Sequence, residues 1–173
     1  WFRTGDVGTW ETGADNQQFL KITDRKKELL KTSGGKYVAP APIESKFKEE
    51  FLIEQIMVVG DKRKFVSALI LPAEETLRDW CGHHGIKWTT FEEVVRHPQV
   101  ISRYQHILDK LNPLFSKIEQ IKKFTLLPTT WDPIKPDGSE GELTPTLKLK
   151  RRVILEKHAE AIEAMYAGDA VSA

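Results

Sequence analysis

Two apolar runs, four residues apart, restrict the fold more than any other stretch. Ile56-Met57-Val58-Val59-Gly60 and Phe65-Val66-Ser67-Ala68-Leu69-Ile70-Leu71 flank the polar tetrapeptide Asp61-Lys62-Arg63-Lys64. Each run has strand length and composition, and so short a polar link joins them as a hairpin. Pro72 has no amide hydrogen and ends the second strand. Such a pair needs partners to cover it. Ala73 to Gly82 reads as a helix with Leu77 and Trp80 or Cys81 on its buried face. Thr89-Thr90, followed by Glu92 and Glu93, caps a short helix through Arg96. Pro98 opens a longer one, with Val100, Ile101, Tyr104, Ile107, Leu108 and Leu111 at helical spacing. Ile121 to Leu127 is a third strand. A last helix runs from about Lys150 to Tyr166, with Val153, Ile154, Ala161, Ile162 and Met165 as its apolar stripe. The predicted class is α/β (α+β): a small sheet of about three strands flanked by helices.

Residues Trp1 to Asp24 read differently. Val7 to Glu11 and Gln18 to Ile22 are hairpin arms around the turn residues Thr12 to Asn16. Two strands alone are marginal in water, and the chain opens on Trp1-Phe2 without Met. The hairpin, residues 1–24, is therefore expected to be the end of a larger domain, with residues 25–173 as a second unit. Within the latter, Gly34-Gly35 permits positive φ or close approach of a ligand. Pro42 is a good first-turn residue for a helix from Ile43 to Phe51.

Composition narrows the function classes. Hydrophobic residues make up 40% of the 173 and charged residues 29%, which fits a globular fold and not disorder. The 26 basic and 25 acidic residues give a net charge of +1, which argues against a nucleic-acid binder. A single cysteine, Cys81, excludes an internal disulfide and a cysteine-rich zinc site, and it fits a reducing compartment. No apolar run has membrane-spanning length.

Three stretches carry chemistry-bearing residues. Asp6, after Gly5, has a carboxylate that can accept hydrogen bonds from both hydroxyls of a ribose, and Arg25 can pair with the same nucleotide. Taken alone, an Asp at a turn and an Arg in a surface ion-pair cluster are the plainer readings. Ser33-Gly34-Gly35-Lys36 can offer backbone N–H groups and a lysine to a phosphate or pantetheine, although it lacks the full phosphate-loop pattern and an ordinary glycine turn explains it as well. In Glu142-Leu143-Thr144-Pro145-Thr146-Leu147-Lys148, a Thr/Pro loop presents Lys148 as a point charge for an external anion. Cations at a helix start oppose the macrodipole, so the run through Arg152 asks for a reason. The five histidines and Cys81 form no metal constellation and read as packing or surface.

In order and spacing these stretches resemble the C-terminal portion of a long-chain acyl-CoA synthetase, in the adenylate-forming (AMP-binding) superfamily. Trp1-Phe2-Arg3-Thr4-Gly5-Asp6, then Ile22-Thr23-Asp24-Arg25-Lys26-Lys27-Glu28-Leu29 on through Glu44, then Leu143 through Arg152, fall in the family's order. The resemblance implies a ligase that converts a long-chain fatty acid, ATP and CoA to acyl-CoA, AMP and pyrophosphate. Residues 1–24 would end the large N-terminal AMP-binding domain, and 25–173 would be the mobile C-terminal domain. It further implies that Asp6 and Arg25 bind the nucleotide and that Lys27 is the hinge. Gly34, Gly35 and Lys36 would lie in the loop facing CoA during thioester formation, and Lys148 would be the catalytic lysine of adenylation. ATP/AMP, CoA and Mg²⁺ are the implied cofactors, with Mg²⁺ held mainly through ATP and the N-terminal domain. The implied partners are fatty acid, ATP, CoA and that domain, and no nucleic acid. A cytoplasmic location is expected, with peripheral contact to the inner face of a membrane left open. The portion alone is expected to be inactive. Two features depart from the wider family: Leu147 stands where many members have Gly, and a long helical insertion covers about Ala73 to Lys117. A non-catalytic CoA- or nucleotide-binding module is the alternative reading.

Overall fold

The computed structural model describes residues 5–13, 16–25 and 28–168, with the backbone alone at 6, 7 and 21–25. Asp6–Thr12 (β1) and Gln18–Arg25 (β2) pair antiparallel from Thr12↔Gln18 to Asp6↔Arg25, with a bulge between Val7 and Gly8. The two-residue strands Leu30–Lys31 (β3) and Tyr37–Val38 (β4) form a second small ladder around residues 32–36. Helix α1, Pro40–Phe47, starts and ends earlier than the sequence pattern suggests, with a proline in its first turn. Ile43 and Phe47 are buried, whereas Phe51 is 59% exposed. Glu50 N–H donates to Phe47 O and Ile53 N–H to Glu50 O, so the chain turns back to the sheet instead of continuing the helix.

The two apolar runs become Ile53–Val59 (β5) and Ser67–Pro72 (β6), paired antiparallel, and Lys123–Leu126 (β7) lies parallel to β6 on its other side. Every residue of β6 is buried, as expected of a central strand covered on both faces. Strand alternation then sorts two cores. Ile56, Val58, Ala68 and Ile70 face one, and Met57, Val59, Leu69 and Leu71 face the other.

A parallel neighbour requires a crossover connection. Residues 73–122 supply it as Glu74–His83 (α2), Phe91–Val94 (α3), Pro98–Leu111 (α4) and a 3₁₀ turn at Asn112–Leu114. The stretch that reads as an insertion is thus the cover of the first core. Leu77, Cys81, Val100, Tyr104, Ile107, Leu108 and Leu111 pack there, and Tyr104 Oη donates to Leu52 O at 2.7 Å. Thr90 caps α3 by accepting from Glu93 N–H at 3.2 Å. Ile101 departs from the expected stripe: it is 43% exposed, at the rim of the helix's buried face.

The second core is closed by residues 127–149 and by the C-terminal helical segment. That segment is two helices, Arg151–Lys157 (α5) and Ala159–Tyr166 (α6), not one. His158 breaks it at φ −113°, ψ 22°. The break lets Val153 and Ile154 and then Ile162, Met165 and Tyr166 bury against the sheet, and Tyr166 Oη bonds Val59 O at 3.3 Å and Phe65 O at 3.2 Å.

His158 also accepts a hydrogen bond at Nε2 from the buried Trp131 indole N–H, at 3.4 Å. Burial pushes its pKa below the ordinary 6.5. The folded state thus favours neutral imidazole, and the unfolded chain takes up the proton first. Stability should be full above about pH 6.5 and should decline as pH falls from there toward the lower folded value. Urea unfolding between pH 8 and pH 5.5 should show this slope, and His158→Gln should flatten it. An unchanged slope would assign the acid sensitivity to other groups.

Candidate functional site

The stretch around Lys148 is a small hairpin. Leu143 and Leu149 bridge antiparallel. Thr144 N–H donates to Lys148 O and Leu147 N–H to Thr144 O, both at 2.8 Å, and Lys148 N–H donates to Thr144 Oγ1 at 3.1 Å. Leu147 sits at φ 59°, the left-handed residue that follows a type I turn in a three-residue hairpin loop. Position 147 therefore suits glycine, and Leu147 is held there with its side chain 62% exposed. Leu143 is buried in the second core and anchors the loop.

Between Lys148 and Arg152 lie four cations, and their partners differ. Lys150 lies 3.3 Å from Glu140, Arg151 bonds Glu44, and Arg152 bonds its own-helix Glu156 at 3.0 Å. Lys148 is exposed and, among the described residues, has no acidic or hydrogen-bonding partner for its ammonium. The conflict with the helix dipole is resolved by the same contacts, since the three cations at the start of α5 answer to carboxylates.

Beneath the loop is a charged platform. Glu142 is 3% exposed; Lys157 donates to its Oε1 at 3.1 Å, and the Lys135 ammonium lies 2.8 Å from its Oε2. Burial pushes the carboxyl up, but the two ammonium groups outweigh it and hold its pKa below 4.5. Gly141 permits the approach: a Cβ there would fall 1.8 Å from Asp132 O.

Residues 32–36 repeat the loop geometry. Thr32 N–H donates to Lys36 O, Gly35 N–H to Thr32 O, and Lys36 N–H to Thr32 Oγ1 at 3.2 Å, with Gly35 at φ 75°. Thr32-Ser33-Gly34-Gly35-Lys36 and Thr144-Pro145-Thr146-Leu147-Lys148 thus share one bond pattern position for position, each opening on threonine and ending on an exposed lysine. They sit at opposite ends of the β5–β6 pair. The first is tied to the connecting turn: Ser33 N–H donates to Arg63 O, Lys62 N–H to Lys31 O, and Lys31 N–H to Asp61 Oδ1. Leu147, by contrast, shares a surface groove with Gln55 and Pro72 at the far end.

Glu44 and Arg151 are the residues whose part the sequence did not reveal. Glu44 is 7% exposed, and both its oxygens accept from Arg151 Nη2, at 2.8 and 2.6 Å. Val58 N–H also donates to Glu44 at 2.7 Å, and Arg151 Nη1 donates to Val58 O at 3.2 Å. A carboxylate on the apolar side of α1, between Ile43 and Phe47, was the available signal.

Asp6 and Arg25 are brought together as direct backbone partners across β1 and β2. Lys27 and residues 1–4 of the first motif lie outside the described residues. Among the described residues no group of three or more His, Cys, Asp or Glu is placed to hold a metal, and no helix is long and apolar enough to cross a membrane. Of the histidines, His83 and His84 bond carbonyls of their own helix and His97 caps α4.

The chain belongs to the family of AMP-binding enzyme C-terminal domains, which it matches over residues 27–170. It is 38% identical to the long-chain-fatty-acid–CoA ligase FadD15 of Mycobacterium tuberculosis, over 96% of this chain and 26% of that protein. The chain thus spans about a quarter of that relative. Among solved structures, it resembles the adenylation domain of a carboxylate reductase from Mycobacterium chelonae, with TM-score 0.67 and 26% identity over 96% of this chain and 23% of that one. The adenylation domain of a carboxylic acid reductase from Segniliparus rugosus, in complex with AMP and a co-purified carboxylic acid, gives TM-score 0.60 and 25% identity, over 96% and 23%.

The left-handed backbone at Leu147 yields a test. A non-glycine residue there costs about 1–2 kcal/mol, and glycine gives back roughly 0.5–1 kcal/mol as unfolded-state entropy. Leu147→Gly should raise unfolding stability by about 0.5–1 kcal/mol. A loss of stability in denaturant titration would show instead that the leucine's packing over the groove outweighs its backbone strain.

Proposed function

We propose that this chain is the C-terminal part of a long-chain fatty-acid–CoA ligase that forms an acyl-adenylate from fatty acid and ATP and passes the acyl group to CoA. The observation that carries this reading is Lys148: among the described residues it alone of the neighbouring cations lacks a carboxylate partner, on a loop held by backbone bonds between Thr144 and Lys148. The similarity to FadD15 favours the fatty acyl substrate. The Segniliparus domain, bound to AMP and a carboxylic acid, supports the adenylation step.

The chemistry requires such a cation. A fatty carboxylate attacking the α-phosphate of ATP meets like charge, and an ammonium bridging both groups stabilises the transition state more than the separated reactants. The carboxylate oxygen bonds to phosphorus as pyrophosphate leaves. The CoA thiolate then attacks the acyl carbon, and AMP leaves. ATP's phosphates normally bring Mg²⁺, which lowers the charge on the leaving pyrophosphate. Mg²⁺ would be held mainly through ATP and the N-terminal domain.

Asp6 and Arg25, side by side in the backbone ladder, would hold the ribose, and Lys27 would be the hinge. Rotation there exchanges one end of the sheet for the other. It withdraws Lys148 and turns Gly34, Gly35 and Lys36 toward CoA. The location of the two matched loops at opposite ends of β5–β6 supports this alternation. Trp10 and Leu20 are 67% and 52% exposed and lie opposite each other across the hairpin, so this apolar surface suits the rest of the N-terminal domain. The acyl pocket and ATP phosphate loop would lie in that domain, which leaves this portion inactive alone. The full-length enzyme would act in the cytoplasm, with any membrane contact peripheral.

In the full-length protein, Lys148→Ala should lower palmitoyl-adenylate formation by about 10²–10³-fold, the scale for removing one preorganised charge-stabilising donor. Thioester formation from supplied palmitoyl-adenylate and CoA should persist. Wild-type rates in both half-reactions would make Lys148 a surface cation only.

A further inference from the structure

We infer that Arg151, held by Glu44, is a positioning residue for adenylation: the pair sets where the Lys148 ammonium stands. This rests on Lys148 serving that step. Arg151 is three residues past Lys148, at the first position of α5. Its guanidinium turns inward, binds both Glu44 oxygens and donates to Val58 O, while Glu44 accepts from Val58 N–H. The first residue of α5, three past the loop lysine, is thereby fixed to both α1 and β5.

Few other contacts fix the loop so firmly. Its internal bonds define its shape but not its place on the sheet. Its other outward anchors are Leu143, buried in the second core with its N–H donating to Asp132 O at 3.2 Å, and Glu142, which Lys157 and Lys135 hold through flexible ammonium groups. Among the described residues, Arg152 pairs with Glu156 of its own helix and bonds no other element. A planar guanidinium binding two oxygens and a carbonyl fixes both distance and angle, which an ammonium cannot do. The pair also unites the two motifs that bear the exposed lysines, since Glu44 closes the stretch containing Lys36. Displacement by an ångström at a reacting group can cost roughly 10²-fold in rate, so a firm hold on the loop has a catalytic consequence.

The test uses full-length protein with Arg151→Lys, Glu44→Gln and Lys148→Ala beside wild type. Arg151→Lys keeps a cation beside the buried carboxylate but cannot make the three-bond arrangement. It should lower kcat for palmitoyl-adenylate formation roughly 10²-fold with KM for ATP nearly unchanged. Thioester formation from supplied palmitoyl-adenylate should stay near wild type. Amide exchange should accelerate at Thr144, Leu147, Lys148 and Lys150 and not in β6. Glu44→Gln should give the same split, and it serves alone if Arg151→Lys does not fold. If Lys148→Ala abolishes adenylation while folded Arg151→Lys and Glu44→Gln adenylate at the wild-type rate, the positioning role is wrong and the catalytic reading stands. If both half-reactions fall together with the melting temperature, the pair is only structural. If Lys148→Ala itself adenylates normally, the catalytic reading and the positioning role fail together.

Discussion

The buried carboxylate of Glu44 is the constraint on which the domain's arrangement depends. An ionised group that is 7% exposed must be paired and hydrogen-bonded. Here the partners come from two other elements, Arg151 of α5 and the backbone of β5 at Val58. Removing one member of such a pair typically costs about 3–5 kcal/mol, because the other charge is left uncompensated. The chain therefore cannot close its C-terminal helices over the sheet without also bringing the Lys148 loop to a fixed place. The contact that satisfies the buried charge also fixes where the Lys148 loop stands.

A second constraint is the recurrence of one turn. The segments at 32–36, 135–139 and 144–148 share the same two backbone bonds, from the first residue's N–H to the fifth's O and from the fourth's N–H to the first's O. Their fourth residues, Gly35, Gly138 and Leu147, all have positive φ. In the first and third, threonine at the opening position also receives the fifth residue's amide. These loops owe their shape to local chemistry and so can be mounted anywhere on the sheet. Their placement is decided by tertiary contacts: the Asp61–Arg63 turn for Lys36, and Leu143, Glu142 and Arg151 for Lys148.

Legibility in the sequence followed the range of the interactions. The β5–β6 hairpin was readable because its apolar runs and polar turn are contiguous. Helix α4 was readable because Pro98 and a helical apolar period mark it locally. The two-helix ending was not, because His158 breaks the segment through a partner 27 residues earlier in the chain, Trp131. Helix α1 ended early because the return to β5 and the burial of Phe47 outweighed helical propensity at Phe51. The stretches that form the two lysine loops stood out by residue type and order, whereas the backbone register that sets Asp6 opposite Arg25 comes from the structure. Glu44–Arg151, 107 residues apart, was hidden. Glu44 stands among apolar neighbours and Arg151 in a run of cations, but only the fold shows that the two meet. Gly141 was equally hidden, since its need is set by the Asp132 carbonyl and not by a turn pattern.

The measurement that bears most directly on the central claim is lysine footprinting of the full-length protein in two trapped states. An amine-acylating reagent would be applied with α,β-methylene-ATP and palmitate, then with a non-hydrolysable acyl-adenylate analogue and CoA, and modification read by mass spectrometry. Alternate presentation of the two ends predicts that Lys148 is protected in the first state and Lys36 in the second, each reactive when the other is shielded. Protection of both lysines together, or of neither, would contradict it.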